Sequence, residues 1–596
     1  MTGDGRWGSD LLAEVLRDLD VAYVANVPGS SYRGLHDSIV NHLGNQRPEL
    51  ILTLHEETAV AIAHGYAKTT DRMMAAALHA NIGLLRASMA VYNAWCDRAP
   101  VLLLGGTGPL DASQRRAVEW LHTSTDQAGA VRAFTKWDDQ PASPAAAEES
   151  LLRAAQLAQT APRGPVYVNV DLAVQEQALD PAYQPRHVAR FTVPARAHPA
   201  PDATASAACL LADAARPVML VGRCSRRVDD WDARVALAER LGAAVFTDLR
   251  QAAAFPTEHA LHPVPPFDRW MPLLAQEQLR AADVILALDW PELAHTLVDA
   301  FGEAPVSARV IQASCDVHNH RGDTQDHGAL APSDVTLLCD ADAAVAALLA
   351  ALPETTVRET GPKAPLPRGF EPVAPTPSTD GVLSIAEVGR VVADAFTELD
   401  VCFTRFPFTW DTAAVQFRHP LDSIGYDGGS GLGSGPGITV GAGLALRGSD
   451  RLPVAITGDG DFLMGNTAIW TAAHYGIPCV FVVCNNRSFY TDERHQAYVA
   501  NTRGRPVENQ WIGSRLEGPD IDIAAIARAQ GALGIGPVGD ADSLRAALDD
   551  GVAAARAGGP AVIDVLVGKP AGAWPADPYE PPKKWQRLRR IKRRLR

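Results

Sequence analysis

Short apolar runs, bounded by polar or glycine positions, recur along this chain, and stretches of helical spacing lie between them. Val21 to Val27 and Ile51 to Leu54 are the first two runs; Pro217 to Val221 and Asp283 to Leu288 lie near the middle, and Leu452 to Thr457 and Cys479 to Cys484 (CVFVVC) are late. Such runs have strand length and suit strands buried on both faces. Helical spacing follows the second run in His55 to Thr70 (HEETAVAIAHGYAKTT), where Ala59, Ile62, Ala63 and Tyr66 share a face. The predicted helix therefore starts beside a carboxylate pair. Val235 to Leu241 reads as helix, and so does the segment after Gly460, which breaks at Gly476 and Pro478. Strand and helix alternating in this way predict an α/β chain with parallel sheets.

Length and composition narrow this picture. With 596 residues, two to four domains are expected. Residues 1–185 and 195–350 each read as an α/β unit. Residues 351–380, rich in Pro, Thr and Gly, read as a linker. Residues 381–570 form a third unit, and 571–596 a basic tail. No run of 18 apolar residues occurs, and the start MTGDGRWGSD lacks the pattern of a secretory signal, so no membrane span is expected. Eight scattered cysteines without a CxxC pair suit a reducing, cytoplasmic setting. The net charge of −15 hides an asymmetry: Lys583 to Arg596 carries nine basic residues and no acid, leaving −24 on the rest. A body so acidic would repel nucleic acid.

The chemistry concentrates at Gly458 to Asn486. Gly458-Asp459-Gly460 follows one predicted strand, where a tight turn is expected, and Asn485-Asn486 ends the next, with residues 461 to 484 between. In βαβ units ligands gather at the carboxyl ends of strands. Asp459 and Asn486 place one hard oxygen at each end, a donor set suited to Mg²⁺ and a diphosphate.

This spacing resembles the GDG…NN motif of thiamine-diphosphate (ThDP) enzymes. HEETAVAIAHGYAKTT resembles the corresponding stretch of acetolactate synthases. LHANIGLLRASMAVYNAWCDRAPVLLLGG (Leu78 to Gly106) resembles the same region in those enzymes and in benzoylformate decarboxylases. The resemblance covers nearly the whole chain. It implies three Rossmann-like parallel-sheet domains: pyrimidine-binding, middle and diphosphate-binding.

Carried over by position, the resemblance makes Glu56 the cofactor-activating carboxylate. Bonded to N1′ of the aminopyrimidine, it favours the imino form whose nitrogen deprotonates C2. Glu57 sits where many relatives have Gln. Pro28 and Ser30 belong to the turn that meets cofactor and substrate, and His79 falls on a catalytic histidine. His122 lies where relatives place cofactor-reaching residues, and Gln127 is expected to bound the pocket. Ser430 would offer its carbonyl to the aminopyrimidine, and Leu432 would prop the cofactor into its bent shape. Gly458, Asp459, Gly460 and Asn486 would hold the diphosphate, with Asp459, Asn486 and the Ser488 carbonyl on Mg²⁺. After the second asparagine, Glu493 is a proton-shuttle candidate and Asp492 a pocket residue.

VGRCSRR stands where FAD-binding relatives have a glycine-rich run. This argues against FAD and leaves Arg223, Arg226 and Arg227 either as an anion site or as a solvated cluster. In the tail, Trp585, Leu588, Ile591 and Leu595 share a helical face. It reads as a lid, a clamp for phosphates such as those of an acyl-CoA, an anionic-surface binder, or simply a solvated charge run. The family implies a homodimer or homotetramer acting on a small molecule. The first expectation is a 2-hydroxyacyl-CoA lyase, resting on Glu493, the FAD argument and the tail. The alternative is a 2-oxo-acid decarboxylase or carboligase of acetolactate-synthase type.

Overall fold

The computed structural model describes residues 5–116, 119–267, 271–316, 330–354, 382–408, 410–426 and 428–569. Most of the expected linker and the whole basic tail lie outside the described residues. Three sheets form, and all their ladders are parallel. The first places Glu49–Leu52, Tyr23–Asn26, Met74–Leu78, Val101–Thr107, Val166–Asp171 and Trp137–Asp139 side by side in that order. The second runs Val335–Leu337, Arg309–Ala313, Val284–Leu288, Pro217–Val221, Ala244–Thr247. The third runs Val401–Arg405, Leu452–Gly458, Cys479–Asn485, Pro560–Leu566, Leu533–Val538. The chain is an α/β protein with helices against parallel sheets. No helix among the described residues is long and apolar enough to cross a membrane.

The central strands explain the uninterrupted apolar runs. Met74–Leu78, Val101–Thr107 and Cys479–Asn485 are buried along their full length, so neither face calls for polar alternation. In the first sheet the strand order reverses beside Tyr23–Asn26: the next strand in sequence lies on one side and Met74–Leu78 on the other. A crevice opens at the carboxyl ends of strands at such a reversal. Pro28 to Ser31 and His79 stand at its rim.

The helix Glu56–Thr70 packs on the helix Ser434–Ala445, joining the first and third sheet units in one apolar cluster that includes Ile62, Ile438, Phe462 and Phe481. The contact is closer than side chains allow. A Cβ on Gly65 would lie 2.0 Å from the Ile438 carbonyl oxygen, and one on Gly441 2.0 Å from that of Ile62.

One local expectation changes. The Gly458-Asp459-Gly460 segment is not a separate tight turn: the strand runs through Gly458 and a helix, Asp459–Gly465, starts on the next residue. Gly460 is needed for another reason, since a Cβ there would meet the Phe489 ring at 2.5 Å.

Candidate active site

Two clusters of candidate residues stand in the chain. The first sits at the reversal of the first sheet. His55 caps the helix Glu56–Thr70, its Nδ1 accepting from the Glu57 N–H at 3.2 Å, which brings Glu56 to the first helical position. Glu56 is 4% exposed, and its Oε2 has no hydrogen-bond partner, with Arg86 Nη1 3.7 Å away. A buried carboxylate oxygen left open in this way fits the N1′ donor of an aminopyrimidine. Beside it, the rings of His79 and His122 meet edge to face with centroids 5.3 Å apart. Burial, and then His122, lower the His79 pKa, against the opposing charge of Glu56.

The serine facing His79 is Ser31, not Ser30. Ser31 is buried with its Oγ 3.0 Å from His79 Nδ1, whereas Ser30 and Pro28 are exposed. The segment Ser30–Tyr32 is a 3₁₀ turn, which directs consecutive side chains to different sides. Gln127 does not line the described Asp459 cavity. It is 2% exposed, and its amide nitrogen meets the Tyr167 hydroxyl at 2.7 Å and the Gly106 carbonyl at 3.2 Å.

The second cluster lines a cavity of about 330 Å³ at the carboxyl end of the third sheet. Strand register sets Gly458 opposite Cys484, so Asp459 and Asn486 follow at neighbouring strand ends. The Ser488 N–H lies 3.1 Å from Asp459 Oδ2 and 2.9 Å from Asn486 Oδ1, and Asp459 Oδ1 accepts from Gly460 N–H at 2.8 Å. Burial pushes the Asp459 carboxyl up to about 6 despite these backbone donors. Ser430, Leu432, Gly458, Gly460 and Asp492 line the same cavity. Among its described lining residues Arg405 is the one permanent cation, and it already pairs with Asp461 at 2.9 Å. The protein thus presents hard oxygens without a spare positive charge. This fits a divalent cation and a diphosphate arriving together. Phe406, Pro407, Phe408, Phe489 and Tyr490 add an apolar, largely aromatic wall.

Arg405 and Asp461 were not legible as site residues. Asp461 also accepts from Gly433 N–H at 2.7 Å and Thr457 Oγ1 at 2.8 Å, fastening the Leu432 turn to the metal-side strand. The fourth residue of the GDGD run was the available signal.

Glu493 departs from expectation. It lies on the helix Tyr490–Thr502, fully buried and not among the residues that line the cavity, with its Oε2 left without a hydrogen bond. Its Oε1 accepts from Ser488 Oγ at 2.5 Å, Arg515 Nε at 3.3 Å and Lys569 Nζ at 3.2 Å. Burial pushes its carboxyl upward, but the Ser488 hydrogen bond, Lys569 and Arg515 outweigh it and hold it below the usual range. Glu493 therefore braces the Ser488 turn. Replacing it with Ala should lower the melting temperature of the protein and weaken cofactor binding, because two cations lose their shared anion. A scan with and without ThDP and Mg²⁺ measures both effects.

The arginines of the middle unit are engaged. Arg223 pairs with Asp316 at 2.6 Å and Arg98 with the same carboxylate at 2.9 Å, while Arg227 lies exposed beside Asp229. Arg226 Nη1 donates to the Pro420 carbonyl at 3.2 Å. Arg223 and Arg226 line a cleft of about 150 Å³ that also presents Asp71, Asp97, Asp289, Asp340 and Asp342. The same cleft also presents Lys68, Arg98, Arg163, Arg196 and Arg250, so cations and carboxylates alternate around it.

Three parallel-sheet units, one with a buried carboxylate and another with a hard-oxygen cavity, define the class of cofactor-dependent α/β enzymes. Residues 6–130 match the thiamine pyrophosphate enzyme N-terminal TPP binding domain, 204–348 the central domain and 408–565 the C-terminal TPP binding domain. The chain belongs to the thiamine pyrophosphate enzymes, and it acts on carbon–carbon bonds. It is 28% identical to benzoylformate decarboxylase of Pseudomonas aeruginosa over 523 residues, 86% of this chain and 91% of the relative. It is 26% identical to the acetolactate synthase large subunit of Corynebacterium glutamicum over 594 residues, 95% and 88% of the two chains. The crystal structure of benzoylformate decarboxylase from Polynucleobacter necessarius superposes with a TM-score of 0.77 at 21% identity, over 96% of this chain and all of that one, a likeness of fold.

Proposed function

We propose that this protein is a ThDP- and Mg²⁺-dependent 2-oxo-acid decarboxylase or carboligase whose site forms between two copies of the chain. The carrying observation is the burial of Glu493 among Ser488, Arg515 and Lys569. The 2-hydroxyacyl-CoA lyase reading rested on Glu493, on the FAD argument and on the basic tail; the first of these loses weight, and the tail lies outside the described residues. The similarity to benzoylformate decarboxylase and acetolactate synthase supports the same choice. The aromatic wall favours a 2-oxo acid with an apolar side chain of some size.

ThDP, when bound, supplies a C2 nucleophile and an electron sink. The chain's own residues do the rest. Glu56 holds a proton at N1′, and Asp459, Asn486 and the Ser488 carbonyl hold the cation that carries the diphosphate. Ser430 and Leu432 shape the bed beneath it. His79 and His122 face the reacting carbonyl and handle its proton traffic.

A site between copies is supported by how the halves sit in one chain. Glu56, His79 and His122 are not among the residues lining the Asp459 cavity. Around them, Leu54, Ile82 and Leu85 are 50%, 37% and 60% exposed, and Met464 is 62% exposed on the diphosphate side. Large apolar residues exposed near a buried catalytic group suit a surface that a second copy covers.

One assay panel tests the substrate class. CO₂ release from 2-oxo acids, aryl and branched ones included, is followed alongside formyl-CoA release from 2-hydroxyacyl-CoAs. CO₂ release alone is expected; formyl-CoA alone would restore the lyase reading.

A further inference from the structure

His79 is held by a device that no motif announces. Its ring lies against the Pro28–Gly29 turn so closely that a Cβ on Gly29 would fall 2.4 Å from the ring. The next residue, Ala80, has φ 46°, a left-handed conformation costly for a residue with a side chain. The Ala80 N–H donates to Ser31 Oγ at 3.0 Å, and the same Oγ lies 3.0 Å from His79 Nδ1. Ser31 in turn fits only because residue 106 is glycine, since a Cβ there would lie 2.6 Å from Ser31 Oγ.

A hydroxyl has one proton to give. With Ala80 N–H donating into the oxygen, the hydroxyl proton is free for Nδ1. We propose that Ser31 is a positioning residue for His79: its hydroxyl, anchored by Ala80 N–H, donates to Nδ1 and keeps the neutral ring's proton on Nε2. The ring then presents an N–H donor from the face opposite Ser31. The titratable groups facing it are His122 and Glu56. A neutral imidazole with Nε2–H can donate to the oxygen of a substrate carbonyl or carboxylate without first acquiring charge. The role of that donor rests on the 2-oxo-acid reading above; the tautomer itself does not.

The test uses the full-length protein with ThDP and Mg²⁺, labelled with ¹⁵N-histidine, the His79 signals being assigned by their loss in a His79→Asn variant. In the wild type, Nδ1 should appear as an unprotonated, hydrogen-bond-accepting nitrogen and Nε2 as protonated. In Ser31→Ala the ring should become a mixture of tautomers. Turnover of the 2-oxo acid should fall about 10-fold in kcat with little change in KM, a part of what a positioned acid–base group supplies. The acid limb of the pH profile should move upward, because a bond favouring the neutral ring is gone. Ser31→Thr should restore both signals and rate. If Ser31→Ala does not fold, Ser31→Cys, a weaker donor of similar size, is read on the same signals. Unchanged ring signals in either variant would overturn the proposal. Signals that move in a protein that turns over no 2-oxo acid would leave the tautomer standing and overturn the substrate reading instead.

Discussion

Glu56→Gln is expected to lower turnover about 10²–10⁴-fold, the range for a positioned acid–base group, while ThDP stays bound. The reasoning is local. The Oε2 of Glu56 is buried with no hydrogen-bond donor among the described residues and only the Arg86 guanidinium 3.7 Å away, which suits the proposed contact with a nitrogen of the cofactor. Gln keeps the size and the packing of the helix Glu56–Thr70 but cannot hold the proton that the aminopyrimidine tautomer requires. Binding is dominated by the diphosphate cavity elsewhere, so the cofactor's Kd should change only a few-fold. Titrating ThDP by fluorescence quenching and following turnover on the same samples separates the two. Turnover near the wild-type rate would contradict the assignment.

The second large effect concerns Asp459. Asp459→Asn should weaken Mg²⁺ and ThDP binding by more than about 100-fold, since even residues behind metal ligands cost 10–100-fold. The protein without cofactor should behave oppositely. Burial raises the Asp459 carboxyl from 3.8 to about 6, so the folded chain prefers the protonated form. The stability tied to that preference is complete below pH 3.8 and is lost as pH rises through about 6. Asn carries no charge to bury, and the melting temperature of the cofactor-free variant near neutral pH should hold or rise. On the proposed role of Asp459, Mg²⁺ would bind the ionised form, so the melting-temperature gain on adding Mg²⁺ and ThDP should be small well below pH 6 and grow above it. A variant that still gains fully from the cofactor would show that Asp459 is not its anchor.

Why these two residues could be read from the chain, and others could not, follows from what a linear pattern carries. Asp459 and Asn486 each sit at the end of an apolar run, and a run of that length in a parallel sheet must deliver its last residue to the ligand edge. The place of Glu56, after a strand and at a helix start, was legible for the same reason. Orientation within a helix or turn is not in the pattern. Glu493 and Asp492 are neighbours, yet one is buried against Arg515 and Lys569 and the other lines the cavity. The packing of residues 515 and 569, both far along the chain, decides between them. Ser30 and Ser31 differ in the same way: Ser31 is buried against His79, 48 residues away, and Ser30 is exposed. Gly431, between Ser430 and Leu432, faces Met89 of the first unit, 2.3 Å from a would-be Cβ, a contact from 342 residues away that the pattern does not carry. The fold class was legible because alternating strand and helix signals are local. Helix-to-helix contacts between sheet units are not.

The arginines at 223 and 226 carry a related lesson. A cationic cluster in sequence suggested an anion, but Arg223 pairs with Asp289 and Asp316, both far along the chain. Charge read along a sequence says little about charge in a cleft.

The claim on which the rest depends is that one working site takes Glu56 from one copy and Asp459 from another. Co-expressing Glu56→Gln and Asp459→Asn chains tests it directly, with turnover of a 2-oxo acid as the readout. If dimers assort at random, half are mixed and each mixed dimer keeps one intact site, so activity should return to about a quarter of the wild-type rate. Activity no higher than that of the two variants measured separately would place both residues in the same copy's site and contradict the account.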